Sequence, residues 1–255
     1  MTEPNWNESI KRAQADMRAP EIKRFYQTAD VGEAEGGYAV RLDGRIARTP
    51  AKAKLVAPTR KLAEALAAEW AAQATTIIPA RMPLTRLANS ALDGVARAIE
   101  ATVEEVARYA GADLVCYRAT EPERLVALQA EAFDPVLAFA EGELGARFLL
   151  AGGLIHVTQP EASLAAVRAA VAAHAEPFAL TALHGLTSLS GSVLIALAVA
   201  RGALAAPAAW RAAHVDEDFQ IERWGVDAEA EQRRDARGAE FAAAAFALEA
   251  LRQAA

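Results

Sequence analysis

The chain has 255 residues, enough for one large domain or two modest ones, and its 53% hydrophobic and 24% charged content is that of a soluble globular protein. A formal net charge of −6, with the arginines dispersed, excludes a groove for a nucleic-acid backbone. One cysteine, Cys116, excludes an internal disulfide and a thiolate metal cluster; among the apolar residues of DLVCYR it reads as a buried, inert thiol.

Residues 1–20 are polar and end at Pro20, which suits a short helix or a loose arm. They carry no hydrophobic run of a secretory signal and are too acidic for a typical mitochondrial presequence, so a cytoplasmic location is expected. From Lys23 the pattern changes to short segments, KRFYQTADV, GYAVRLDG, RIARTP and AKLVAP, punctuated by Gly-Gly, Asp-Gly and Pro. Asp43-Gly44 between two such runs is a hairpin signal, because a type I′ turn needs positive φ at both central residues. A two-residue loop sets Leu42 opposite Arg45 and Val40 opposite Ala47. That register turns Ile46 away from Val40, so a longer loop stays open. Thr59 then caps a helix whose Leu62, Leu66 and Trp70 form one stripe, to be packed on the small sheet. Trp70 is read as a core residue whose indole N–H needs a partner. Pro79 and Pro83 break the chain, and a domain boundary is placed near residue 88.

Beyond it, alanine-rich sequence predicts helices over Leu84–Gly94, Arg97–Gly111, Glu123–Gly142, Glu161–Ala173, Pro177–Gly202, Pro207–Trp224 and Asp227–Arg252. Pro135 should kink or split the third of these. RFLLAGGLIHV at 147–157 reads as an extended insertion with a Gly-Gly turn. The fold class is therefore α+β: a small N-terminal α+β domain with a short-stranded sheet (1–88), then a larger all-helical domain (89–255). The most apolar window, Leu186–Ala200, is interrupted by Ser188, Ser190, Gly191 and Ser192 and is too short to span a bilayer.

Signatures of chemistry are missing. No Gly-Lys-Ser/Thr reaches a phosphate, GEAEGG opens into a strand, and the Gly and Ser of GLTSLSGSV fit close helix packing better than an anion site. There is no Gly-x-Ser-x-Gly elbow and no His-Glu-x-x-His. His184, in an apolar helix, reads as a hydrogen-bonded structural histidine rather than a general base.

The densest cluster of titratable groups is HVDEDFQIERWG at 214–225. On a continuous helix, Trp210, His214, Glu217, Ile221 and Trp224 share one face, whereas Asp216, Asp218 and Glu222 fall at the flanks. The carboxylates then diverge, which disfavours a metal site. Glu217 either pairs with His214 or a neighbouring arginine, or anchors a protein-binding surface; the structural reading is preferred. In the last helix Phe241, Ala244, Leu248 and Leu251 form one stripe and Phe246 projects from nearly the opposite side. A helix apolar nearly all round must be enclosed by the fold or covered by a partner. Glu240 at the stripe's edge suits a salt bridge or recognition of a partner's basic residue.

Eight segments in this order carry a resemblance: RFY (24–26), GYAVRLDGRIARTPAK (37–52), LAEALAAEW (62–70), MPLTRLANSALDGV (82–95), DLVCYR (113–118), FDPVL (133–137), LHGLTSLSGS (183–192) and VDEDFQIERWG (215–225). Together the chain resembles the assembly-chaperone family that binds the free α subunit of F-type ATP synthase. The resemblance implies the two-domain fold and a non-enzymatic, ATP-independent chaperone, here a bacterial cytoplasmic one. Such a protein would cover the α-subunit surface that later meets β, without nucleotide, cofactor, metal, nucleic acid or membrane insertion. It also implies an important acidic residue in the terminal helix, for which Glu240 is the nearest match. Candidate client-binding residues are Glu240, Glu217, Phe241, Phe246, Leu248 and Trp224. The competing class is a metal-dependent or hydrolytic enzyme using His214 with Glu217, Asp218 or Glu222.

Overall fold

The computed structural model describes residues 22–153 and 157–253, so the expected arm at 1–20 lies outside the described residues. Strands β1 (Ile22–Lys23), β2 (Ala29–Ala34), β3 (Gly37–Leu42), β4 (Arg45–Ile46) and β5 (Val56–Ala57) precede helix α1 (Arg60–Ala71) and strand β6 (Thr76–Ile77). Strand β3 is the spine of the sheet. It pairs antiparallel with β2 along one edge, and with β4 and β5 at opposite ends of the other. The hairpin adopts the two-residue turn: Leu42 pairs with Arg45, and Asp43 and Gly44 have φ of 48° and 76°. The Asp43 carboxylate also accepts from the Thr28 and Gln27 N–H groups, bonds that hold it below the usual aspartate range.

Alternating side chains of β3 supply Val40 and Leu42 to a core shared with Leu62 and Leu66 of α1. The Thr59 hydroxyl accepts from the Leu62 N–H and caps that helix. Trp70 is only half-buried, edge-on to Tyr26 at 5.6 Å, and the Tyr26 hydroxyl donates to its carbonyl. Its indole N–H has no partner among the described residues.

Helix α2 (Pro83–Asp93) begins where the proline break was read, because proline suits the first helical position, where no N–H is needed. The Glu69 carboxylate of α1 takes the Leu84 and Thr85 N–H groups at 2.8 and 2.7 Å, capping α2 from outside. Ala88, the residue placed at the domain boundary, is buried in the middle of α2. This helix packs on α1 and also on two helices of the C-terminal part.

The rest is helical apart from one parallel two-residue pair, β7 (Tyr117–Arg118) with β8 (Ala151–Gly152) in the stretch read as an extended insertion. Residues 154–156 of that stretch lie outside the described residues. The helices are α3 (Ile99–Ala107), α4 (Glu123–Leu144), α5 (Glu161–Ala172), α6 (Pro177–Ser190), α7 (Val193–Ala200), α8 (Ala206–Ala213), α9 (Val215–Trp224) and α10 (Ala228–Arg252). Pro135 does not split α4: Phe133, Val136, Phe139 and Ala140 are buried on both sides of it, and packing outweighs one lost hydrogen bond.

Two predicted helices are each divided. Pro177–Gly202 breaks at Gly191, which takes φ of 71° as a helix terminator, and Ser192 caps the next helix at Ile195 N–H. Pro207–Trp224 breaks at His214 (φ −122°, ψ 19°), because the imidazole Nδ1 takes the Trp210 carbonyl at 2.8 Å. That acceptor belongs to the helical N–H of His214, which bonds Arg211 instead.

All eight residues of α7 are buried. Its first turn is served by Asp113, also fully buried, which accepts from the Leu194 N–H at 3.1 Å and the Val115 N–H at 3.2 Å. Burial pushes the Asp113 pKa from 3.8 up to about 6, against the opposing pull of its hydrogen bonds. The folded state then holds this proton more tightly than the unfolded one. Stability from this group is complete below about pH 4 and is lost as pH rises through about 6. The stability of Asp113→Asn relative to the wild type should therefore rise between about pH 4 and pH 7 in denaturant unfolding and level off above. Asp113→Ala, which orphans two buried N–H groups, should lose about 2–4 kcal/mol.

Candidate functional site

Helix α10 has two characters. Asp227 caps it by accepting from Glu229 N–H, and its first half is charged and mostly exposed. Its second half buries Phe241, Ala244, Ala245, Ala247, Leu248 and Ala250 against α6, α2 and α8. The apolar end is enclosed by the fold. Phe241 and Leu248, proposed from sequence as client contacts, point into the core and can serve a surface only by fixing the helix that bears it.

Phe246, on the other side, is half-buried and faces the N-terminal unit. The Lys61 ammonium lies 5.3 Å from its ring and bonds Glu249 at 2.9 Å, which lowers the Glu249 pKa. Lys61 thus pins the end of α10 to α1.

Glu240 stands where α10 begins to bury. Its carboxylate accepts from Arg86 of α2 at 2.9 Å, and both side chains are half-exposed. The pair lies in the wall of a cleft of about 600 Å³ between α2, α3, α6 and α10. Pro83, Leu87, Val95 and Leu189 give the cleft an apolar lining. Glu105 and His184 form a second polar pair, with 3.4 Å between carboxylate and imidazole. His184 is therefore a cleft residue rather than part of the apolar interior. The Arg86 Nε is buried without a partner among the described residues, so its guanidinium is held by the Glu240 bond alone.

Glu217 and Trp224 lie elsewhere, on α9, in a second cleft formed with the start of α10. The Glu217 carboxylate is 4.0 Å from the His214 imidazole, too far for a hydrogen bond. His214 itself is buried, tilted against Trp210 with ring centroids 3.8 Å apart, and burial lowers its pKa, so it is neutral at pH 7. The carboxylates beside it go to separate partners: Asp216 to Gln129, Asp218 to Arg234 and Glu222 to Arg124. They do not converge with His214 as an active site would require. Among the described residues no group of three or more His, Cys, Asp or Glu side chains could hold a metal ion. Burial raises the Cys116 pKa to about 12, which leaves it a thiol.

Sequence reasoning missed the grouping of Arg86, Glu105 and His184 around Glu240, since they come from four helices. The signal available was that MPLTRLANSALDGV and LHGLTSLSGS both carry polar residues inside apolar helices. A half-exposed ion pair contributes at most about 1 kcal/mol. Glu240→Gln and Arg86→Ala should thus each shift the melting temperature by no more than about 4 °C in calorimetry. A larger loss would make the pair structural.

A family model described as ATP12 chaperone protein matches residues 23–141. Atu1473 protein from Agrobacterium tumefaciens is similar at 45% identity with a TM-score of 0.87, over 98% of this chain and 92% of that one. Atp12 from Paracoccus denitrificans is similar at 44% identity with a TM-score of 0.83, over 90% of this chain and 98% of that one. An aspartate-to-lysine mutant of the Paracoccus protein matches at 43% identity and the same TM-score, over 90% and 97%. No described helix is long and apolar enough to cross a membrane. With its motifs in order along the chain and its whole fold shared at this level of identity, the chain belongs to the ATP12 chaperone family.

Proposed function

We propose that this chain is a cytoplasmic, ATP-independent chaperone that binds the free α subunit of F-type ATP synthase and keeps it from aggregating until it meets the β subunit. Membership of the ATP12 chaperone family supports the class of activity. The observation that carries the site is that the 82–95 stretch, the 183–192 stretch and Glu240 all line one cleft. Residues far apart in sequence, two sets of which carry the resemblance, contribute their polar groups to the same concavity.

The physics of the cleft suits reversible holding. Its apolar lining offers area to an exposed hydrophobic segment, and its Arg86–Glu240 ion pair is half-exposed, so exchanging Arg86 for a client's cation on Glu240 costs little desolvation. No nucleotide need drive release; a β subunit competing for the same client surface suffices. In this reading Glu240 recognises, Arg86 holds it ready, and Phe241 and Leu248 fix the helix that presents it.

Co-expression with the α subunit of the same organism tests the proposal: soluble, copurifying α should rise markedly when the chain is present. Unchanged α solubility and no copurification would sink it. Glu240→Lys should weaken capture roughly tenfold, about 1.4 kcal/mol, by placing a second cation against Arg86. Circular dichroism should match the wild type, and the melting temperature should stay within about 5 °C of it, a loss too small to account for the lost capture.

A further inference from the structure

The cleft at the junction of α9 and α10 is separate from the Glu240 cleft and has its own chemistry. Gly225 (φ 87°) turns the chain between the two helices and leaves Trp224 and Val226 at the surface, 80% and 59% exposed. With Ile221 and Ala230 they give a concavity of about 500 Å³ an apolar floor. Exposure of a tryptophan beside a valine is unfavourable in water, and burying the pair against a partner would relieve it.

The rim is acidic. Glu217, Asp227, Glu231 and Asp235 face Arg234, whose guanidinium is already engaged by Asp218. Asp227 is used as a helix cap, and Arg223 lies over the Trp224 ring, 5.7 Å from its centroid. Glu231 and Asp235 form no ion pair with any described residue, and the nearest ionisable partner of Glu217 is the neutral His214, 4.0 Å away, with Arg234 already engaged by Asp218. A floor of large apolar side chains with a rim of uncompensated carboxylates is complementary to an amphipathic segment bearing lysine or arginine. A second copy of this chain is a poor fit, because a two-fold contact would set the same carboxylates against each other.

We infer that this α9–α10 elbow is a second docking site, which takes a basic amphipathic segment of the client protein, Trp224 seating its apolar face and Glu217, Glu231 and Asp235 its cations. The inference rests on the client-holding reading above and adds to it a second grip of stated chemistry.

The probe is a short fluorescent helical peptide of leucine and lysine, with a leucine–glutamate peptide of the same pattern as control. Anisotropy titration of the full chain should show binding of the lysine peptide alone, weakening with added salt. Trp224→Ala should cut affinity roughly tenfold, as should the pair Glu231→Lys with Asp235→Lys. The pair Glu33→Lys with Glu35→Lys makes the same charge change on the distant β2–β3 hairpin and should bind as wild type. Equal loss in that control, binding of the glutamate peptide, or no binding overturns the proposal. So does self-association of the wild type that Trp224→Ala abolishes. If the peptide results fail while the α subunit still copurifies, the elbow assignment falls alone; failure of copurification by the wild type strikes the client reading instead.

Discussion

The helical half is organised by a segment that has no side to show water. All eight residues of α7, VLIALAVA, are buried, so α4, α5, α6, α8 and α10 must surround it. An apolar helix so enclosed still has backbone N–H groups at its start that need acceptors. Ser192 serves one and Asp113 another, and Asp113 does so from a different part of the chain. A carboxylate buried to this degree is costly, and the cost is tolerable only because two segments, DLVCYR through the Val115 N–H and α7 through the Leu194 N–H, meet there and use its oxygens, while the Leu114 N–H donates to the Gly191 carbonyl alongside. The position of α10, and so of both clefts, follows from that packing.

The N-terminal unit is joined to this core by the same device, a side chain that caps the helix of a neighbour. Glu69 closes the start of α2 from α1, and α2 in turn forms a wall of the Glu240 cleft. At the other end Lys61 ties α1 to the end of α10 through Glu249. The small sheet therefore braces the cleft through two polar contacts on one helix, without contributing to its lining.

Much of this was readable in the sequence. The hairpin at Asp43-Gly44, the Thr59 cap, the succession of a small sheet and then helices, and the buried cysteine follow from local rules about φ, hydrogen bonding and apolar neighbours. The family followed from eight ordered motifs. What failed was continuity within apolar runs. Periodicity does not distinguish one long helix from two, and the breaks at Gly191 and His214 depend on a left-handed residue and on a side chain competing for a backbone carbonyl. The break at His214 mattered for the site, because it removed the shared face on which Trp210 and Trp224 had been projected. The cleft was illegible for a different reason: Arg86, Glu105, His184 and Glu240 come from four helices, and only tertiary packing gathers them.

Helix α10 runs unbroken from the elbow to the Glu240 cleft and beyond. From Glu231 to Glu240 the backbone rises roughly 13 Å at 1.5 Å per residue, so the two clefts are held apart by a hydrogen-bonded rod rather than by a loop. Their spacing and relative direction are thereby quantised in helical steps. Substitution along the rod leaves that geometry alone, but one inserted residue between the sites would turn one about 100° against the other. In this stretch of the protein the number of residues, more than their identity, sets the geometry.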